Sequence, residues 1–182
     1  MGEEGQKEGI SRREMLKCSF CAGVALAAGG SLTEAAAAVD TKATSRNRPE
    51  AAKAHFIKSM SCSQAILETY APVFGMKADH AAKLATGFAG GMGMGHECGA
   101  VTAAYMVLGL ANGPKEKKVF PKLEAFNKAF KARHRELGCS QLLGVDMGTK
   151  AGMREASRKG LIKNRCPEYV KTAGELLEKM LA

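Results

Sequence analysis

Residues 87–110 read GFAGGMGMGHECGAVTAAYMVLGL, and the change of character at Cys98 decides the reading of the whole chain. Five glycines, Gly87, Gly90, Gly91, Gly93 and Gly95, run up to the cysteine. Behind it Ala100, Val101, Ala103, Ala104, Met106, Val107, Leu108 and Leu110 make a helix apolar on every side, the mark of an element at the centre of its domain. Glycine reaches backbone conformations that other residues resist. A glycine run opening into a helix aims several free N–H groups, and the positive end of the helix dipole, at one spot. A thiolate is stabilised there, so Cys98 is the first candidate for chemistry. By itself the stretch fits equally well a flexible loop before a buried, inert cysteine.

Working outward, the flanking segments are helical too. Arg48-Pro49-Glu50 opens a helix with proline in its first turn, carrying Ala51, Ala54, Phe56 and Ile57 inward and ending near Met60. Ser61 or Cys62 caps a second, with Ala65, Ile66, Tyr70 and Val73 as its stripe and Pro72 and Gly75 at its end. Asp79 caps a third, whose Ala82, Leu84, Ala85 and Phe88 lead into the glycine run. Beyond the central helix, which stops at Asn112-Gly113-Pro114, Lys115–Lys118 reads as a charged turn. An amphipathic helix follows from Phe120 to Leu137, with Leu123, Phe126, Phe130 and Leu137 at helical spacing. Lys131, Arg133, His134 and Arg135 sit near its C-terminus, where positive charge is favourable, and Gly138 ends it. Cys139–Gly144 is one helical turn, and Val145–Asn164, polar and weakly patterned, is a surface excursion with room for one helix turn. Cys166-Pro167-Glu168 starts the last helix with proline at its first position, and Val170, Ala173, Leu176, Leu177, Met180 and Leu181 form its apolar side. No strand alternation or internal repeat is present. The expected fold is all-α, a compact bundle of about five to six helices around a buried central helix, with a Gly-rich loop.

The start of the chain has the form of an export signal. Ser11-Arg12-Arg13-Glu14-Met15-Leu16-Lys17 follows the twin-arginine pattern, with Met15 where an aromatic residue is usual. A modest apolar run from Cys18 to about Gly30 and Ala36-Ala37-Ala38 complete it. The expectation is a signal peptide over residues 1–38 that is removed, a linker over 39–48 and one domain over 49–182. The Cys18-Ser19-Phe20-Cys21 pair would leave with the signal. The apolar run is too short to span a bilayer, so no permanent membrane span is expected. The protein would be periplasmic or otherwise exported through the twin-arginine pathway. That route moves folded proteins and suits a cofactor inserted beforehand.

Removing residues 1–38 takes away four basic and five acidic side chains and raises the formal charge from +9 to +10 over the remaining 144 residues. That length supports one domain with its own core. Export argues against nucleic acid as the partner of so basic a chain. An acidic redox partner protein, an anionic membrane surface or simply a solvated charged surface remain, and a homodimer is compatible with the sequence. Tryptophan is absent while alanine and methionine abound, which points to helices packed through small residues.

Cys62, Cys98, Cys139 and Cys166 remain after the signal, each placed by this reading at or beside a helix N-terminus. Thiolates, or a cluster they ligate, concentrate negative charge where helix N-termini offer N–H donors. Their spacings of 36, 41 and 27 residues match no zinc-finger or bacterial ferredoxin run. A common site must therefore be assembled by folding. Two structural disulfides, in any of three connectivities, are the alternative, and spacing alone favours them.

Phe88–Gly95, Cys98-Gly99-Ala100, Leu108-Gly109-Leu110, Cys139 and Cys166-Pro167 together resemble the four-cysteine C_GCAxxG_C_C family, which is regarded as redox-active. The resemblance runs from about Ala51 to Leu181. Carried over by position, Cys62 corresponds to the first family cysteine, Cys98 to that of the Cys-Gly-Ala motif, and Cys139 and Cys166 to the other two. The chain departs at Ala103, where the motif has glycine, which implies a looser helix contact there. The resemblance implies redox chemistry and leaves the cofactor open; a similar domain accompanies a c-type haem module in split-Soret cytochrome c, which points toward an iron–sulfur centre.

Three functions follow. The first is an exported electron-transfer protein in which Cys62, Cys98, Cys139 and Cys166 ligate an iron–sulfur cluster. Gly91, Gly93 and Gly95 would bind it by directing N–H groups at sulfur. The second is a thiol–disulfide protein with Cys98 as the low-pKa thiolate and another cysteine resolving it. The third is a binding or structural module held by two disulfides or a zinc ion. No c-type haem is expected without C-x-x-C-H. No nucleotide is expected either, because Gly91-x-Gly93-x-Gly95 has the wrong spacing and follows a helix. His96 is a further metal candidate, set against plain polar surface. Met92 and Met94 are candidates for copper, set against apolar plugs beneath the loop. His55, His80 and His134 suggest no hydrolase triad.

Overall fold

The structure is a computed structural model that describes residues 47–182. The expected signal peptide, its cysteine pair and all but the end of the expected linker lie outside those residues. Among the described residues there are eight α-helices and no strand: α1 (Arg48–Ser59), α2 (Cys62–Tyr70), α3 (Ala78–Ala85), α4 (Gly99–Asn112), α5 (Glu116–His134), α6 (Cys139–Leu143), α7 (Lys150–Arg158) and α8 (Leu161–Leu181). The all-α expectation holds, with two short helices more than the apolar pattern announced.

The core lies where α2, α4 and α8 meet. Ala100, Val101, Ala103, Ala104, Val107 and Leu108 of α4 are inaccessible to solvent, as are Ala65, Ile66 and Tyr70 of α2 and Val170, Ala173 and Leu177 of α8. Alanines and glycines let these helices approach closely. A Cβ at Gly174 would stand 2.9 Å from the Cα of Pro49, and the Tyr70 hydroxyl donates to the Gly174 carbonyl at 3.0 Å. Arg48 locks α1 to α8, donating to both carboxylate oxygens of Glu178 at 2.7 and 3.0 Å while its guanidinium lies 5.4 Å from the centre of the Tyr70 ring.

Several faces differ from the pattern. α1 buries Pro49, Ala52 and Phe56, whereas Ala51, Ala54 and Ile57 are exposed. Alanine occurs on both sides of this helix, so hydropathy could not choose the face. Val73 and Leu84 are also exposed. α4 is buried over a broad face only, since Tyr105 and Met106 are half-buried and Leu110 is exposed. α5 begins at Glu116, so the lysine-rich turn is helical. Lysines are unfavourable at a helix N-terminus, but burial of Phe126 and Phe130 outweighs that cost.

The largest difference concerns Val145–Asn164, where in place of a surface excursion with one helix turn the chain forms the nine-residue α7 and the start of α8. Only Gly152 and Ala156 of α7 are buried, and two small residues make no visible apolar stripe. α8 then starts at Leu161, after Gly160 at φ 65°, five residues before the expected start. Pro167 therefore lies inside α8, not at its first position.

Candidate functional site

Cys62 is the first residue of α2, Cys98 caps α4 and Cys139 is the first residue of α6. Cys166 is the exception: it lies in the second turn of α8, because packing of Leu161 and Ile162 in a satellite apolar cluster draws the helix start back. All four nonetheless line one cavity of about 90 Å³, together with Phe56, Met60, Gly90, Leu142, Leu143, Met147, Ile162 and Tyr169. That is space for about three waters. All four are free thiols; Cys62, Cys98 and Cys139 are buried and Cys166 is half-buried.

Backbone contacts assemble the cluster from four distant points of the chain. Cys98 N–H donates to the Leu137 carbonyl at 2.8 Å, and Cys139 N–H donates to the His96 carbonyl at 2.6 Å. This short bridge holds the starts of α4 and α6 side by side. Gly99 brings α2 against α4: a Cβ there would stand 2.6 Å from Cys62 Sγ and 2.8 Å from the Phe88 carbonyl oxygen. Gly90, at φ 64°, turns its N–H toward the Cys62 sulfur.

Of the glycines expected to bind a cofactor, none of Gly91, Gly93 and Gly95 is on the cavity wall, where Gly90 stands. Gly91 and Gly95 close the loop on itself and on α6, since a Cβ at each would collide with His96 and with Ser140 respectively. Gly93 is exposed. His96 is exposed as well, Met92 is half-buried, and Met94 is 59% exposed, so Met94 is no plug beneath the loop. Besides the apolar Phe56, Leu142, Leu143 and Ile162, the wall residues that the sequence did not mark are Gly90, Met60, Met147 and Tyr169. Tyr169 donates to the Leu142 carbonyl at 2.9 Å and packs edge-on against His134 with ring centres 4.9 Å apart. Its spacing of three from Cys166 along a helix was the available signal.

The electrostatics reverse the expected roles of the two most intimate thiols. Cys98 was expected to be the thiolate, but its thiol is pushed well up, first by acting as hydrogen-bond donor to Cys62 and then by burial. Cys62 is lowered to about 6, first by the hydrogen bond from Cys98 and then, against the cost of burial, by the N–H groups of Gly90, Ser63 and its own residue. Only the Ala100 N–H assists Cys98. Burial, and then the charge of Cys62, raises Cys139 to about 11 and, joined by Cys139, raises Cys166 to about 12. The metal-free, reduced protein should therefore carry one site thiolate at neutral pH. An ultraviolet thiolate titration should show one ionisation near pH 6 and the others only in strong alkali, and Cys62→Ser should remove the low step. A first ionisation near the ordinary thiol value would show that the N–H groups do not act on sulfur.

The wall carries four thiols and the thioethers of Met60 and Met147, with no carboxylate or imidazole; thiolate donors suit iron–sulfur clusters and zinc. Among the described residues no three His, Cys, Asp or Glu side chains are placed to hold a single metal ion. A family model described as "Putative redox-active protein (C_GCAxxG_C_C)" matches residues 60–180, a span that includes all four cysteines. No curated protein and no solved structure matches the chain.

Proposed function

The chain belongs to the C_GCAxxG_C_C family, whose members are described as redox-active, and from that premise we propose an exported electron-transfer protein with Cys62, Cys98, Cys139 and Cys166 as one iron–sulfur site. The observation that carries this reading is that four cysteines from four helices open on one apolar-walled cavity. A cluster bound there would supply one-electron transfer. The chain would hold it by four thiolates, direct the Gly90 and Ala100 N–H groups at sulfur to adjust its potential, and exclude water with Phe56, Leu142 and Tyr169.

One observation favours a second reading. Cys62 and Cys98 form an asymmetric pair, one thiol lowered and its partner raised, as a dithiol oxidoreductase requires. The Cys62 thiolate would attack a substrate disulfide and expel one substrate thiolate. Cys98 would then lose its proton, attack the mixed disulfide and release the second thiolate, leaving a Cys62–Cys98 disulfide. Anaerobic purification separates the two. The first reading expects brown protein with stoichiometric iron and sulfide. Colourless protein whose thiol count falls by two on mild oxidation supports the second.

Export rests on the residues of the amino-terminal segment, and among the described residues no helix is long and apolar enough to cross a membrane. Arg12→Lys with Arg13→Lys should leave precursor in the cytoplasm, as seen by fractionation and immunoblotting. Mature protein outside with an unchanged N-terminus would rule out the twin-arginine route.

A further inference from the structure

The helix hidden in the polar segment presents an unpaired cationic face beside the sulfur site. α7 is firmly built: Thr149 Oγ1 accepts from the Gly152 N–H at 3.1 Å, and a Cβ at Gly152 would stand 1.9 Å from the Asp146 carbonyl oxygen. Its inner face holds Ala156, which packs in one cluster with Cys139, Leu143 and Met147, all three on the cavity wall. Its outer face carries Lys150, Arg154 and Arg158, all exposed and one turn apart, about 6 Å per step. The carboxylate of α7, Glu155, is taken by Lys159 at 2.6 Å, and no carboxylate among the described residues pairs with Lys150, Arg154 or Arg158. Like charges at this spacing repel one another. One helix thickness, about 10 Å, separates the stripe from the cavity.

We propose that Lys150, Arg154 and Arg158 form the docking surface for an acidic electron-transfer protein that exchanges electrons with the cysteine site. This rests on the redox reading above. A cluster held by the four cysteines would accept one electron from the reduced partner, with no proton or group transferred. Charge complementarity selects the partner and speeds encounter. Met153, 44% exposed, is the one large apolar side chain on the outer face, too little to seat the helix in a lipid surface. α5 is also lysine-rich; its contact with the wall is at its far end, where His134 packs on Tyr169, so the lysines of its first turns, Lys117, Lys118 and Lys122, serve as the control surface.

The test uses a plant-type [2Fe–2S] ferredoxin as the acidic probe. Lys150→Gln, Arg154→Gln and Arg158→Gln are combined in one variant and the corresponding glutamates in a second, with circular dichroism to confirm folding. The affinity of the wild type for ferredoxin should fall with salt, and the glutamine variant should bind about tenfold more weakly with a smaller salt dependence. Lys117→Gln, Lys118→Gln and Lys122→Gln together should leave affinity within about twofold. Unchanged affinity in the α7 variants overturns the proposal, and so does an equal loss in the α5 variant, which would reflect net charge alone. Loss of binding to phosphatidylglycerol vesicles with ferredoxin binding intact also overturns it, in favour of a membrane surface. Reduction by a photoreduced neutral flavin tests the redox reading separately: a wild type that takes no electrons from the flavin sinks that reading, while the binding titration still reports on the stripe.

Discussion

Serine in place of Cys98 or of Cys62 abolishes assembly of the proposed cluster, with affinity for iron and sulfide falling by at least about 100-fold, the size that loss of an outer partner can already reach. The hydroxyl is a hard donor and stays protonated where a thiol ionises, so it supplies neither the softness nor the charge. Both positions are at helix starts on the cavity wall, and the exchange is nearly isosteric, so helical content should persist. Iron and sulfide analysis with circular dichroism on each variant checks this. A variant that keeps full visible absorption removes its cysteine from the site. Cys139→Ser and Cys166→Ser distinguish the two readings: a four-ligand centre suffers at all four positions, whereas a Cys62–Cys98 dithiol keeps its exchange chemistry without Cys139 or Cys166.

Gly99→Ala should damage the site from within the helix packing. The new Cβ would lie 2.6 Å from Cys62 Sγ and 2.8 Å from a backbone oxygen of Phe88. Overpacking of this kind costs about 1–3 kcal/mol. Helix propensity would return up to about 1 kcal/mol in a helix interior, and less at this first position. The Cys62 sulfur should be forced away from the Gly90 N–H, so its ionisation should move up from about 6 toward the ordinary thiol range. Gly109→Ala, in the same helix but with nothing within 4 Å of its Cβ, is the comparison and should be neutral or slightly stabilising. Denaturation midpoints and thiolate titrations of both variants settle the matter; indistinguishable behaviour would mean that the close approach at Gly99 has no consequence.

Elements with large apolar residues at helical spacing were legible: α2 through Ile66 and Tyr70, α4 through its valines and leucines, α5 through Phe126 and Phe130. α7 was not, because Gly152 and Ala156 bury backbone and methyl groups that no hydropathy pattern registers. The same reason turned α1, where exposed and buried alanines look alike. The start of α8 was misplaced because Cys166-Pro167 has the form of a helix opening, while tertiary packing of Leu161 and Ile162 began the helix earlier.

For the site, the sequence by itself determined which residues bear the chemistry: four cysteines without a local ligand motif, a glycine run before Cys98, and apolar segments that demand an all-α core. Their order along the chain left open whether they pair, ligate or stand apart. Only the tertiary structure decided that they face one cavity, that Gly90 rather than Gly91, Gly93 or Gly95 stands on its wall, and that Cys62 rather than Cys98 is the thiol drawn down in pKa. The physical reason is that a thiol's ionisation depends on burial and on the N–H groups and neighbouring sulfur aimed at it. For Cys62 the distant neighbours are Gly90 and Cys98, 28 and 36 positions away in the sequence, brought together by helix packing.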